Sequence, residues 1–141
     1  MPTRPELQRI AQLRLAEAEA LFSAGLFDGC VYLCGYVIES ALKACNCRTL
    51  GITDYLDSHR TLGRTFRSHD FDELAILAGI KAEIDAKRNA QLVVNWNTAT
   101  AWKPERRYEP PGTYSSADAD DLLNSIRDNP DGVLTWLSQR W

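Results

Sequence analysis

The sequence lacks any uncharged apolar run of the roughly 18 residues that a membrane-spanning helix needs. Its first residues, Met-Pro-Thr-Arg-Pro-Glu, also lack the apolar core of a signal peptide. No dinucleotide-binding glycine fingerprint, Walker loop, His-Glu-x-x-His motif or nucleophile elbow occurs in the chain. We therefore expect a cytoplasmic protein that does not enter a membrane, and we predict no cofactor.

The spacing of the cysteines is not typical of a zinc site. The chain has four cysteines, none of which forms the Cys-x-x-Cys pair that zinc sites often use. Cys30 and Cys34 stand four residues apart, so on a helix they share one face, and Cys45 falls near that face. This spacing suits packing, since free cysteine behaves as a small hydrophobic residue. We predict buried, reduced thiols and no metal site.

The overall charge is nearly balanced, but the charges are unevenly spread. Of 141 residues, 45% are hydrophobic and 25% are charged, and the formal net charge is −3. These proportions are typical of one globular domain with a single core, and they do not predict a nucleic-acid-binding protein. However, arginine and histidine concentrate in residues 48–69 and basic residues recur at 103–107, whereas 118–131 carries five aspartates. The pattern fits either a local basic patch or scattered, solvated arginines.

Residues 27–48 predict a helix that is apolar on nearly every side. Such a helix needs partners around it, so we expect it to lie at the centre of a helical bundle. Within it, Glu39 and Lys43 stand four residues apart, in the order that favours an ion pair on a helix. The pair either serves a functional site or lies at the rim of the bundle.

Capping signals mark the other helices. Thr3 and Glu6 form a capping box at the start of the first helix. The short connection at Gly25 predicts that the first two helices are antiparallel neighbours. Asn129 and Pro130 mark a break followed by a new helix, with Asn129 as its cap and Pro130 in its first turn.

Together these signals predict an all-α fold, an up-and-down bundle of about five helices with a short C-terminal helix. We expect a single domain, 1–141, with an irregular stretch at residues 51–68. In the fourth helix, Ile84, Ala90, Leu92 and either Val93 or Val94 are expected to face the core. The predicted helices cover about 4–24, 27–48, 70–79 and 81–95, a fifth is capped by Ser115 or Ser116, and a short one starts at Pro130.

The spacing Arg64-x4-His69 suggests a ribonuclease chemistry. A histidine can exchange a proton with a ribose 2′-hydroxyl, and an arginine can stabilise the charge that develops on phosphorus. These two residue types can therefore cleave a phosphodiester without a metal ion. The alternative is that His69 only anchors the turn before the next helix.

A second candidate site lies on the late helix, at Arg88 and Asn89, with Asn95 two turns further along. Inward polar groups on such a helix would line a cleft. No histidine occurs at positions 93–95, and asparagine cannot carry a proton between groups. The alternative is an exposed arginine with asparagine at a solvated edge.

Four segments, in their order and spacing, resemble the HEPN family, named for a nucleotide-binding domain of higher eukaryotes and prokaryotes. Gly-Leu-Phe-Asp-Gly at 25–29 looks like the family's approach to helix 2, and residues 32–44 look like that helix. Ser-His-Asp-Phe at 68–71 is similar to the opening of its helix 3. Trp-Lys-Pro-Glu-Arg-Arg-Tyr at 102–108 is similar to its loop that runs from tryptophan to Arg-Tyr.

The resemblance implies a bundle of about five helices that forms a homodimer. Family members include metal-independent ribonucleases of toxin–antitoxin and defence systems, and non-catalytic companions of small nucleotidyltransferases. The ribonucleases carry an Arg-x4–6-His motif on a late helix, and the corresponding segment here, 88–95, has no histidine.

This departure favours a nucleotide- or RNA-binding module, a non-catalytic companion of a nucleotidyltransferase, over an endoribonuclease that uses Arg64 and His69. The residues predicted to bind nucleotide or RNA are Arg67, Arg88, Asn89, Asn95, Arg107 and Tyr108.

Overall fold

The computed structural model describes residues 2–55 and 63–141, and these two segments form eight α-helices, one 3₁₀ helix and no strand. The predicted all-α fold is therefore confirmed. Part of the stretch predicted to be irregular, 56–62, lies outside the described residues. The helices are α1 (Arg4–Ser23), α2 (Phe27–Leu50), α3 (Gly63–Phe66), α4 (Phe71–Leu77), α5 (Lys81–Asp85), α6 (Ala90–Thr100), α7 (Ser116–Arg127) and α8 (Val133–Leu137), with the 3₁₀ helix at Pro104–Tyr108.

Helix α2 is the centre of the bundle, as its apolar sequence predicts. Most of its side chains are buried, and α1, α4, α6, α7 and α8 all pack against it. Helix α1 begins with the predicted capping box between Thr3 and Glu6, and the chain turns back into α2 through Gly25, whose φ is 75°. No described helix, α2 included, is long and apolar enough to cross a membrane.

The four cysteines lie in α2 as buried, free thiols, as predicted. Burial raises the pKa of the Cys45 thiol to about 12. Cys34 donates a hydrogen bond to Cys30, which raises the pKa of Cys34 and lowers that of Cys30. In the described part of the chain, no group of three or more His, Cys, Asp or Glu side chains is placed to hold a metal ion.

The predicted helix over 81–95 is wrong, because this segment forms two helices with a break between them. Lys87 takes a left-handed backbone conformation with φ of 53°, and the side chain of Asn89 caps the next helix by accepting from the Leu92 amide at 3.1 Å. Ala90, the first residue of α6 after this cap, is exposed and not in the core as expected. The buried residues of α6 are Leu92, Asn95, Trp96 and Ala99.

The predicted start of the last helix is also wrong. Gly132 caps α8, so Asn129 is not its cap and Pro130 is not in its first turn. The turn from α7 into α8 is tight, since the Gly132 amide donates to the Asp128 carbonyl at 2.8 Å. A Cβ at Gly132 would lie 2.5 Å from that carbonyl oxygen, and only glycine fits there. Because of this tight turn, α8 begins at Val133 and not at Pro130.

One aromatic side chain packs directly onto the backbone of α2. The indole of Trp102, in the loop after α6, lies so close to Gly35 that a Cβ on this glycine would fall 1.9 Å from the ring. Tyr36 meets the indole edge-on at 5.3 Å between ring centroids, and Phe71 stacks on it at 5.7 Å. Gly35 therefore lets a tryptophan occupy the space that a side chain of α2 would fill.

We expect the substitution Gly35→Ala to lower the free energy of unfolding by about 1–3 kcal/mol or more, because the added methyl group must displace the Trp102 indole. Urea unfolding followed by circular dichroism measures this change. The matched control is Gly29→Ala on the same helix, where the new Cβ would lie 3.2 Å from the flexible end of the Leu21 side chain. If Gly35→Ala proved no more destabilising than the control, the close packing of Trp102 on α2 would be disproved.

Candidate functional site

A buried carboxylate joins α2 to the chain just before α4. Glu39 Oε2 accepts a hydrogen bond from His69 Nδ1 at 2.7 Å, and Glu39 Oε1 accepts from Lys43 Nζ at 2.6 Å. The Glu39 and Lys43 side chains are 9% and 14% exposed, whereas that of His69 is 49% exposed. Because Nδ1 donates its hydrogen bond to the carboxylate, the other ring nitrogen, Nε2, is left for a ligand.

The position of Glu39 follows from the helical spacing of α2. Tyr32, Tyr36, Glu39 and Lys43 are spaced four, three and four residues apart, so they form one row along the helix, which we call the polar row. The hydroxyl oxygens of Tyr32 and Tyr36 lie 3.0 Å apart. Burial and this hydrogen bond raise the pKa of Tyr36 to about 12, so its hydroxyl is protonated at neutral pH.

His69 opens into a cleft of about 370 Å³ between residues 69–72 and the loop 100–105, which we call the His69 cleft. Its lining mixes an aromatic wall, Phe71 and Trp102, with charged groups. Lys103 supplies the positive charge and Glu105 is one of the acids. Of the other two lining acids, Asp70 caps α4 by accepting from the Glu73 amide, and Asp72 lies 3.8 Å from Lys81.

The catalytic pair predicted from spacing is not gathered in this cleft. His69 lines it, but Arg64, in α3, is not among the described residues that do so. Arg64 and Arg67 are both exposed, and within 2–55 and 63–141 neither one forms an ion pair. The structure gives His69 a carboxylate partner, Glu39, that the Arg-x4-His spacing did not include.

The late-helix candidates lie elsewhere. Arg88 is exposed, and with Asn89 it lines a separate cavity of about 160 Å³ beside Trp136. Asn89 donates to the Asp131 side chain at 2.7 Å, and Asn95, which is buried, donates to the Asp131 backbone carbonyl at 2.8 Å. The two asparagines therefore hold α6 against the turn before α8.

Arg107 and Tyr108 lie at the other end of the polar row, on the 3₁₀ helix. Tyr108 is 76% exposed, and the Arg107 guanidinium lies 4.8 Å from the centroid of its ring. Hydrogen bonds to the hydroxyls of Tyr108 and Tyr32 raise the pKa of Arg107. The surface that runs from Tyr108 along the polar row to His69 thus combines an exposed aromatic ring, a fixed guanidinium and a fixed imidazole.

Sequence reasoning missed several members of this surface. It noted the Glu39–Lys43 pair but left open whether it lay at a site, and it did not connect the pair to His69. The spacing of Tyr32 and Tyr36 relative to Glu39 was a usable signal for the polar row. No pattern in the sequence indicated that Trp102 would form a wall beside His69, because 33 residues separate them in the chain.

No family model matches this sequence, and comparisons with curated proteins and with solved structures return no match. The resemblance to the HEPN family therefore stays a prediction from the sequence.

We expect the substitution Glu39→Gln to lower the free energy of unfolding by roughly 1–3 kcal/mol, because it leaves the largely buried Lys43 ammonium without its counter-charge. Urea unfolding measures the difference. Glu105→Gln is the matched control, since Glu105 is exposed and makes no ion pair within the described residues. Equal stability changes for the two variants would contradict a structural role for the Glu39 carboxylate.

Proposed function

We propose that this protein is a nucleotide- or RNA-binding module whose ligand lies on the surface from Tyr108 to His69. The observation that carries the proposal is the hydrogen bond from His69 Nδ1 to Glu39, which holds an exposed imidazole at the mouth of a cleft with Nε2 directed to no described partner. A histidine fixed in this way can donate to, or accept from, a ribose or phosphate group.

The charges of the surface support this proposal despite the net charge of −3. Lys103 directly precedes the 3₁₀ helix and lines the cleft, Arg107 lies on that helix, and Arg64 and Arg67 precede His69 in the chain. None of these four cations forms an ion pair with another described residue. Unpaired cations attract phosphates, and the exposed ring of Tyr108 offers a face on which a base can stack.

The proposed partners come from the HEPN resemblance. They are a second copy of the chain, as a homodimer, and a small nucleotidyltransferase for which this protein is a non-catalytic companion in a toxin–antitoxin or defence setting. Co-purification with the product of a neighbouring nucleotidyltransferase gene tests the second partner, and sedimentation of the purified chain tests the first.

We expect Arg107→Ala to weaken the binding of a labelled single-stranded RNA. The slope of log K against log salt concentration should also become shallower by about one phosphate contact, because the RNA no longer releases the counterion that the guanidinium displaced. Fluorescence anisotropy at several salt concentrations measures both quantities. Arg14→Ala is the control, since Arg14 pairs with Glu17 on α1. Absence of binding to RNA and to nucleotides at low salt would refute the proposed function, and an equal loss in the control would remove Arg107 from the interface.

A second function, a metal-independent endoribonuclease, is favoured by the same histidine–carboxylate pair. His69 Nε2 would take the proton of a 2′-hydroxyl while the 2′-oxygen bonds to phosphorus, and the bond from phosphorus to the 5′-oxygen would break as a water molecule gives that oxygen a proton. Arg64, the arginine that the sequence pairs with His69 for the phosphorane charge, does not line the cleft, so this step needs Arg64 to approach the bound phosphate. The products of this reaction are a 2′,3′-cyclic phosphate and a 5′-hydroxyl. Glu39 would keep the imidazole oriented through the hydrogen bond to Nδ1.

If the protein is a ribonuclease, RNA cleavage in the presence of EDTA should fall about 100-fold or more in His69→Ala, because general acid–base catalysis contributes at least that factor. Gel analysis of a labelled RNA measures the rate, and circular dichroism checks that the variant is folded. Cleavage that persists in the folded variant would exclude His69 from the reaction.

A further inference from the structure

The hydroxyls of Tyr32 and Tyr36 form a hydrogen-bonded pair at one end of the polar row. Their oxygens lie 3.0 Å apart, and only one of the two hydroxyl hydrogens can lie between them. Among residues 2–55 and 63–141, neither hydroxyl has a further hydrogen-bond acceptor. One O–H group of the pair is therefore left to donate to solvent or to a ligand.

The contact with Arg107 favours Tyr32 as the residue that keeps this free O–H group. A guanidinium has donors and no acceptor, so Arg107 donates to the Tyr32 oxygen. That oxygen has two lone pairs and can accept from Tyr36 at the same time. Burial first, and this donation second, raise the pKa of Tyr36 to about 12. With both lone pairs of its oxygen occupied, Tyr32 can meet a ligand only as a donor.

Tyr32 and Arg107 together offer donors to an anion. Arg107 is exposed and Tyr32 is half-buried, so a ligand can reach both side chains. Arg107 pairs with no carboxylate in the described part of the chain. The acid of the polar row, Glu39, lies about 10 Å from Tyr32 along α2, and each of its oxygens already accepts a hydrogen bond. A positive charge beside a neutral donor, with no acid paired to it, suits the oxygens of a phosphate.

We propose that Tyr32 and Arg107 form a phosphate subsite, in which Arg107 supplies the positive charge and the Tyr32 hydroxyl donates to a phosphate oxygen. The proposal rests on the proposed function, since it names the part of a nucleotide or RNA that this end of the surface recognises. Because Tyr32 and Glu39 are about 10 Å apart along α2, the group that meets His69 belongs to a different part of the same ligand. The subsite adds Tyr32 as a neutral binding residue beside a charged one.

The test measures the affinity of the full chain for one single-stranded RNA, prepared with and without a 5′-phosphate, by fluorescence anisotropy at several salt concentrations. Tyr32→Phe keeps the ring and removes the hydroxyl. We expect it to weaken binding about tenfold, as the loss of one hydrogen bond to a charged group does. The slope of log K against log salt concentration should stay the same, because a neutral phenol displaces no counterion.

The slope separates direct donation by Tyr32 from a role in positioning Arg107. If Tyr32 only held Arg107 in place, Tyr32→Phe would make the slope shallower, as Arg107→Ala does, and the hydroxyl would not be a phosphate donor. Unchanged affinity in Tyr32→Phe would also overturn the subsite, while RNA binding by the unsubstituted chain would leave the proposed function standing. If the unsubstituted chain binds neither RNA nor nucleotides at low salt, the proposed function itself fails.

Tyr114→Phe is the matched control, because Tyr114 is also half-buried and its hydroxyl already donates to Glu109. This variant should change neither affinity nor slope, and a loss equal to that of Tyr32→Phe would overturn the subsite. A loss in Tyr32→Phe on both RNAs supports an internal phosphodiester in the subsite, and a loss only on the 5′-phosphorylated RNA supports a terminal phosphate.

Circular dichroism checks that each variant is folded. If Tyr32→Phe is unfolded, Arg107→Lys gives the test on an exposed residue. Lysine keeps the charge but lacks the planar fork that can donate to Tyr32 and to the phosphate together, so affinity should fall while the slope stays the same. Unchanged affinity in Arg107→Lys would overturn the subsite.

Discussion

The indole of Trp102 lies on the bare backbone of α2 at Gly35, and this contact organises the surface that we propose to be functional. It ties the loop after α6 to the centre of the bundle. The 3₁₀ helix that follows directly is thereby held beside the polar row, where Arg107 reaches Tyr32. The same indole, stacked on Phe71, forms the wall of the His69 cleft. The contact of Trp102 with Gly35 thus positions both the wall of the cleft and the segment that carries Arg107.

The second constraint is electrostatic. Glu39 is a nearly buried carboxylate, and a buried charge is tolerated only when it is paired and hydrogen-bonded. Lys43 satisfies one of its oxygens from the same helix, and His69 satisfies the other from a distant part of the chain. Because the buried Glu39 carboxylate needs a partner for each oxygen, its second hydrogen bond fixes the orientation of the exposed His69 imidazole. The hydrogen bond from His69 to Glu39 therefore does two things: it satisfies the buried carboxylate, and it orients the imidazole that we propose to contact the ligand.

The pieces that could be predicted are those that depend on local spacing. The apolar residues around α2, the capping box at Thr3 and the buried thiols all follow from residues a few positions apart, and each was confirmed. The prediction of one helix over 81–95 failed, because the apolar spacing continues across the break between α5 and α6. The spacing gave no sign that Lys87 takes a left-handed backbone conformation or that Asn89 caps a new helix. It also failed at the start of α8, where the backbone contact of Gly132 with Asp128 outweighed the usual signal of Asn-Pro. In both places a single backbone conformation decided the result against the side-chain pattern.

The sequence by itself determined that the chain is helical and that α2 lies at its centre, because a helix with apolar residues on every side must be surrounded. It also determined that Glu39 and Lys43 share a face, since helical periodicity alone sets that relation. Only the tertiary structure decided that His69, 30 residues after Glu39, would bind the second oxygen of this carboxylate, and that Trp102 would form the wall of the cleft beside it. Such contacts depend on how separate helices pack, and no local pattern records which distant side chain will fill the space over a glycine or satisfy a buried charge.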